Sequence, residues 1–97
     1  MKVFLSQPFH GLTEKEIMEE RNRCLTMLQE KYGDVELIDN YHHDDAPENA
    51  GRLWHLGRSI QMMEEADAVY FCPGWRNARG CLVEYVTALQ YGLKILE

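Results

Sequence analysis

Hydrophobic positions along this chain alternate between short unbroken runs and longer stretches spaced three or four residues apart. Lys2 to Ser6 (KVFLS) is a run of the first kind and predicts a strand. Thr13 with Glu16 three residues on is a capping box, and the helix it opens runs to about Tyr32 with Ile17, Cys24, Leu25 and Leu28 on its inner face. Gly33 stops it. Val35 to Asp39 predicts a second strand, and a polar loop from Asn40 to Gly51 leads to a helix from about Arg52 to Glu65 bearing Leu53, Leu56, Ile60 and Met63. Asp67 to Cys72 (DAVYFC) has no polar residue after Asp67, as suits a strand covered on both faces. A last helix is expected from Asn77 to about Tyr91, ended by Gly92 before a closing strand, Leu93 to Leu96.

This βαβαβαβ alternation predicts one α/β domain over residues 1–97, a small flavodoxin- or Rossmann-like three-layer unit. Right-handed crossovers give a four-stranded parallel sheet of order 2-1-3-4 with helices on both faces. Ligands in such sheets bind beyond the carboxyl ends of the strands, where successive connections leave for opposite faces. That edge collects Ser6 to Gly11 (SQPFHG), Asp39 to Asp45, and Pro73 to Gly80. A chain of this size buries roughly 60–68% of its unfolded surface, enough for one core.

Composition narrows the classes of function. The formal net charge of −6 argues against a general nucleic-acid surface, which needs clustered cations. No apolar run approaches the roughly 18–20 residues of a membrane helix, and no signal-peptide pattern opens the chain, so no membrane partner and a cytoplasmic location are expected. Three cysteines without a C-x-x-C motif (Cys24, Cys72 and Cys81) are expected to be reduced thiols. Cys81 falls in the first turn of the last helix, where a thiol pKa can be lowered, but no histidine lies near it in sequence. Arg52, Arg58, Arg76 and Arg79 bracket the last loop. Their planar donor forks suit phosphate, and surface pairing with the 16 acids is the alternative.

The last helix carries one carboxylate, Glu84. It follows Gly80 by one turn, and helical side chains lean toward the N-terminus, so its oxygens should reach back over a position without a side chain, where a small ligand could sit. Glu84, Thr87 and Gln90 also share one arc of the helix, which is the pattern of a solvated face; against this, the arc lacks any Lys, Arg or second acid.

Taken in order, SQPFHG after the first strand, W-x-L-G-x-S from Trp54 to Ser59, ADAVYF from Ala66, and G-W-x-x-A-R-G-C-x-x-E-x-x-x-A from Gly74 to Ala88 resemble a group of short bacterial and phage proteins similar to the nucleoside 2-deoxyribosyltransferases. The resemblance covers essentially the whole chain. It implies a glycosyl site in which Glu84, as nucleophile, attacks the sugar carbon of a nucleoside or nucleotide. Breaking an N-glycosidic bond develops oxocarbenium character that a carboxylate stabilises and captures, and the departing base must be protonated. It also makes the first loop (Ser6, Gln7, Pro8 and Phe9) a sugar or phosphate loop, with Gln7 where many relatives have glycine. The related transferases carry an Asp before the third strand and another just upstream of the nucleophile. Here those regions read Arg58-Ser59 and Arg76 to Arg79, with no obvious acid.

The expected site is therefore Glu84 as catalytic residue; Ser6, Gln7, Pro8, Phe9, Asp39, Ser59, Gly74, Trp75, Arg79 and Gly80 around substrate; and Arg58 and Arg76 on phosphate. Asp39 is placed to meet a ribose hydroxyl or to stand in for the acid, or else it caps its loop. Trp75, in a turn rather than a periodic stripe, is the foremost stacking candidate among Phe9, Tyr41, Trp54 and Trp75. His42, His43, Asp44 and Asp45 lack the further ligands a metal needs, so neither metal nor cofactor is expected. The apolar surface of the last helix (Leu82, Val83, Tyr85, Val86 and Leu89) exceeds what one sheet face covers and suggests a homodimer or larger homo-oligomer. Two functions fit: an enzyme cleaving or transferring the N-glycosidic bond, and a nucleotide-binding module without turnover.

Overall fold

A computed structural model describes residues 1–97. The elements are β1 (Lys2–Ser6), α1 (Glu14–Tyr32), β2 (Glu36–Leu37), α2 (Arg52–Met63), β3 (Ala68–Phe71), a 3-10 turn (Trp75–Asn77), α3 (Arg79–Gln90) and β4 (Ile95–Leu96). The sheet is parallel throughout, in the expected order β2-β1-β3-β4.

Side-chain alternation in β1 and β3, aligned Val3 to Ala68 through Ser6 to Phe71, divides the core into two layers. On one face Val3, Leu5, Ala68, Cys72 and Leu96 pack against Cys24 and Leu28 of α1. On the other Phe4, Val69 and Phe71 pack against Met62 and Met63 of α2 and Ala88 of α3. Ser6, two residues beyond Phe4, falls on the α3 face, and its hydroxyl is wholly buried.

Local chemistry sets the element ends. The Thr13 hydroxyl accepts from the Glu16 N–H at 3.1 Å while Glu16 Oε1 accepts from the Thr13 N–H at 3.0 Å, the capping box that starts α1. After α3, Gly92 adopts φ +67° and the Leu93 N–H reaches back to the Ala88 carbonyl at 2.9 Å. That closure uses up Leu93, and Lys94 lends the sheet only its carbonyl, which accepts from the Val69 N–H at 2.8 Å, so β4 is two residues rather than four. β2 is also shorter than Val35 to Asp39: the Asn40 N–H turns back to the Ile38 carbonyl at 3.0 Å and takes Asp39 out of the ladder. Gly74 at φ +88° and the extended Ala78 isolate the 3-10 turn, so α3 begins at Arg79 rather than Asn77. Leu53 is 82% exposed because Ser59, Met62 and Met63 set the buried arc of α2 on another side of the helix. No helix is long and apolar enough to cross a membrane.

Candidate functional site

At the carboxyl end of the sheet the chain leaves β1 for α1 on one face and leaves β3 for α3 on the other, which opens a crevice between the two connections. Ser6 closes β1 there, and its Oγ–H donates to Glu84 Oε1 at 2.6 Å. Glu84 is 7% exposed. It makes no ion pair and no other hydrogen bond, and no fully buried side-chain oxygen lacks a partner, so its Oε2 opens into the crevice. Burial pushes the Glu84 carboxyl up to about 7, against the pull of the Ser6 hydroxyl. The solvated-face role open to Glu84 in the sequence is thereby overturned: within the shared arc it is the inward member.

The cleft in front of Glu84 has a volume of about 260 Å³. Gly80 and Cys81 of α3 form its floor beside Glu84, Leu56 and Ser59 of α2 form one wall, and Gln7, Phe9, Asn40 and Tyr41 from the β1 and β2 loops form the other. His43 and His55 complete the rim. Gln7, Phe9, Gly80 and Cys81 are shared with an adjoining hollow of about 410 Å³ that adds Pro8, His10, Asn77 and Arg79. There the first N–H groups of α3 (Arg79, Gly80 and Cys81) have no partner in the chain, since Ala78 at the helix cap offers no side-chain acceptor.

A buried polar lattice holds the wall opposite α3. Gln7 Nε2 donates to the Ile17 carbonyl at 2.8 Å, and Gln7 Oε1 accepts from Arg21 Nη1 at 3.3 Å. Arg21 Nη2 also donates to the Ile38 carbonyl and to Asn40 Oδ1, both at 3.1 Å, while Asn40 Nδ2 donates to the Leu5 carbonyl at 3.0 Å. Gln7 thus lines the cleft, but both ends of its amide fasten the β1 loop to α1. Burial lowers the Arg21 pKa, and the nearby charge of Asp39 opposes that shift.

Among the expected site residues, Gln7, Phe9, Ser59, Gly80 and Glu84 meet in the cleft, Ser6 stands behind Glu84, and Pro8 and Arg79 line the hollow. Five others lie outside both. Asp39 faces away and accepts from His42 Nδ1 at 3.0 Å; burial raises its carboxyl, but the His42 contacts outweigh it and hold the pKa down. Trp75 stacks on Tyr85 with ring centroids 4.5 Å apart and leans on Phe71, so its ring belongs to the α3 core face. Arg76 sits over that ring, 4.7 Å from its centre. Arg58 pairs with Asp45 at 3.0 Å. Gly74 lines neither cavity; a Cβ placed on it would lie 3.7 Å from the Pro8 side chain. The aromatic edge of the cleft is instead Phe9 with Tyr41, edge to face at 5.1 Å.

Cys81 is buried beside Glu84. Burial, with the charge of Glu84 added and the Ser6 bond opposing, pushes its thiol up to about 11, which suits a neutral wall residue rather than a thiolate. Cys24 and Cys72 are free and buried, with sulfurs 3.4 Å apart. Three of the four residues from His42 to Asp45 turn to different partners: His42 to Asp39, His43 to His55 and Ser59, and Asp45 to Arg58.

Arg21, Asn40, His55 and Leu56 are site-forming residues that sequence patterning missed. Two left a trace: Arg21 interrupts the inner stripe of α1 between Ile17 and Cys24, and His55 lies four residues before Ser59, on one face of α2. No curated protein and no solved structure matches the chain. One family model does, over residues 1–97, and the chain therefore belongs to DUF4406, a domain of unknown function.

Proposed function

We propose that this domain cleaves or transfers the N-glycosidic bond of a nucleoside or nucleotide, with Glu84 as nucleophile. The observation that carries this is a desolvated carboxylate, free of any cation and with one oxygen open to a cleft at the switch point of the sheet. Glu84 Oε2 forms a bond to the anomeric carbon as the C–N bond breaks and its electron pair leaves with the base. Water or an incoming base then opens the glycosyl ester. With no cation to neutralise it in the ground state, the Glu84 charge is satisfied chiefly by the positive charge that develops on the sugar, which is the differential stabilisation catalysis requires. The motifs shared with the nucleoside 2-deoxyribosyltransferase-like superfamily support the same chemistry.

The remaining contacts follow from the cavity. Phe9 and Tyr41 offer a base-stacking edge, Ser59 a hydroxyl for the sugar, and Arg79 with the free N–H groups of α3 a place for phosphate. Arg58 and Arg76, committed elsewhere, are dropped as phosphate ligands. Cleft and hollow together fall in the range of about 300–1,000 Å³ typical of small-molecule sites.

A second function, nucleotide binding without turnover, is favoured by one observation: Glu84 is the only acid lining either cavity, so no carboxyl group stands ready to protonate the base. Incubation with a panel of ribo- and deoxyribonucleosides and their 5′-monophosphates, with free base followed by chromatography, decides between them. Base release that disappears in Glu84→Gln supports the glycosyl site, and saturable binding with no release overturns it.

The same proposal includes a second copy of the chain as partner. The outer face of α3 exposes Leu82, Val83, Val86 and Leu89 and, after Arg79, carries no charged residue. Sedimentation should show a dimer or larger species that Val86→Asp converts to monomer.

A further inference from the structure

Resting on the glycosyl reading of Glu84, we propose that Ser59, His43 and His55 form a proton relay that supplies the departing base with its proton. Three observations carry it. All three side chains line the cleft that Glu84 opens into. They are joined in series, His55 Nδ1 to His43 Nδ1 at 2.8 Å and His43 Nε2 to Ser59 Oγ at 3.3 Å. And Ser59, although 8% exposed and inside a helix, spends its hydroxyl on the histidine alone. A helical hydroxyl ordinarily bonds back to the preceding turn, as Thr87 does to the Val83 carbonyl at 2.8 Å.

The bonds restrict the tautomers. Two Nδ1 atoms approach to 2.8 Å only when one carries a proton and the other a lone pair, so exactly one hydrogen lies between the rings. The two rings are nearly parallel, at 14° with centroids 5.0 Å apart, and are edged by Trp54, which holds the pair in place. In the neutral pair with the shared hydrogen on His43 Nδ1, His43 Nε2 is an acceptor and takes the Ser59 hydroxyl hydrogen. When the pair binds one more proton, His43 Nε2 becomes a donor, Ser59 Oγ accepts, and the serine hydrogen is freed toward the cleft. Protonation of the histidine pair thereby fixes Ser59 Oγ as the acceptor and turns its hydrogen toward the cleft.

In the first step Glu84 Oε2 bonds to the anomeric carbon, the C–N pair goes to the base nitrogen, and that nitrogen takes the Ser59 hydrogen while Ser59 Oγ takes the proton of His43 Nε2. In the second, water adds to the anomeric carbon, its surplus proton returns through Ser59 to His43, and the C–O pair returns to Glu84. The groups that face His43 are His55 and Arg58 from α2, Asp45 from its own loop, and Glu84 and the Cys81 thiol across the cleft; the β1 loop contributes only neutral Gln7 and Phe9. Burial and His55 lower its pKa, so the relay gives its proton readily.

The test compares two leaving groups on one deoxyribose: a purine, which needs a proton, and 4-nitrophenolate, which does not. Ser59→Ala and His43→Gln should each slow purine release by more than about a hundredfold and 4-nitrophenol release by no more than a few-fold, and Ser59→Thr should restore purine release. The alkaline decline of purine release in the unaltered protein should be absent in His43→Gln, a loop substitution outside the core. Equal loss with both leaving groups, or a trapped sugar on Ser59 instead of Glu84, overturns the relay and leaves a glycosyl site standing. Release of neither leaving group by the unaltered protein overturns the glycosyl site and the relay together.

Discussion

Two buried charges flank the end of β1, and they are treated oppositely. Arg21, on the α1 side, is 5% exposed and donates to Gln7, Ile38 and Asn40, every bond within the protein. Glu84, on the α3 side, is equally buried yet holds a single partner, Ser6. A saturated buried charge fixes geometry, because removing it strands its acceptors; one left with an open oxygen is held for something not in the chain. The arginine thus frames the cleft and the glutamate faces what enters it.

That contrast breaks first at Glu84. Glu84→Gln keeps the shape of the side chain and its bond to Ser6, and base release should fall at least about a thousandfold, roughly 4 kcal/mol of barrier, with folding retained by circular dichroism. Arg21→Met should do the reverse. It strands Gln7 and Asn40, and urea denaturation should show a loss of about 3 kcal/mol.

A third measurement sharpens the comparison through pH. The Glu84 carboxyl is raised from 4.5 to about 7 by burial, so the folded state holds its proton more tightly than the unfolded chain. Its contribution to stability is complete below about pH 4.5 and is lost as pH rises through about 7, a decline of about 3 kcal/mol. Urea midpoints across that window should fall more steeply for the unaltered protein than for Glu84→Gln, and the variant should be the more stable of the two at pH 8. The smallest effect belongs to Gly80. A methyl group there meets only Leu56 at 3.9 Å, so Gly80→Ala should leave stability within about 1 kcal/mol of the parent while weakening nucleotide binding measured by calorimetry.

Local patterns recovered whatever depends on near neighbours. The capping box of α1, the continuous apolar run of β3 and the glycine after α3 each name their element from a few adjacent residues, and four strands alternating with three helices leave little freedom in strand order. Glu84 was legible because a lone acid on an apolar helix is conspicuous. What escaped depends on pairing between distant positions. Trp75 was free to face a ligand until Tyr85 stacked on it, Asp39 until the chain turned back at Asn40, and Arg58 until Asp45 reached it from the preceding loop. The histidines escaped for the same reason, since their link joins a loop to a helix twelve residues on.

The outermost strands, β2 and β4, are each only two residues long. Neither border of the sheet offers enough unpaired backbone to template a neighbouring strand, and this guards a small parallel sheet against edge-to-edge polymerisation. Any association between molecules must accordingly be written in side chains rather than in main-chain amides, where a single substitution can erase it.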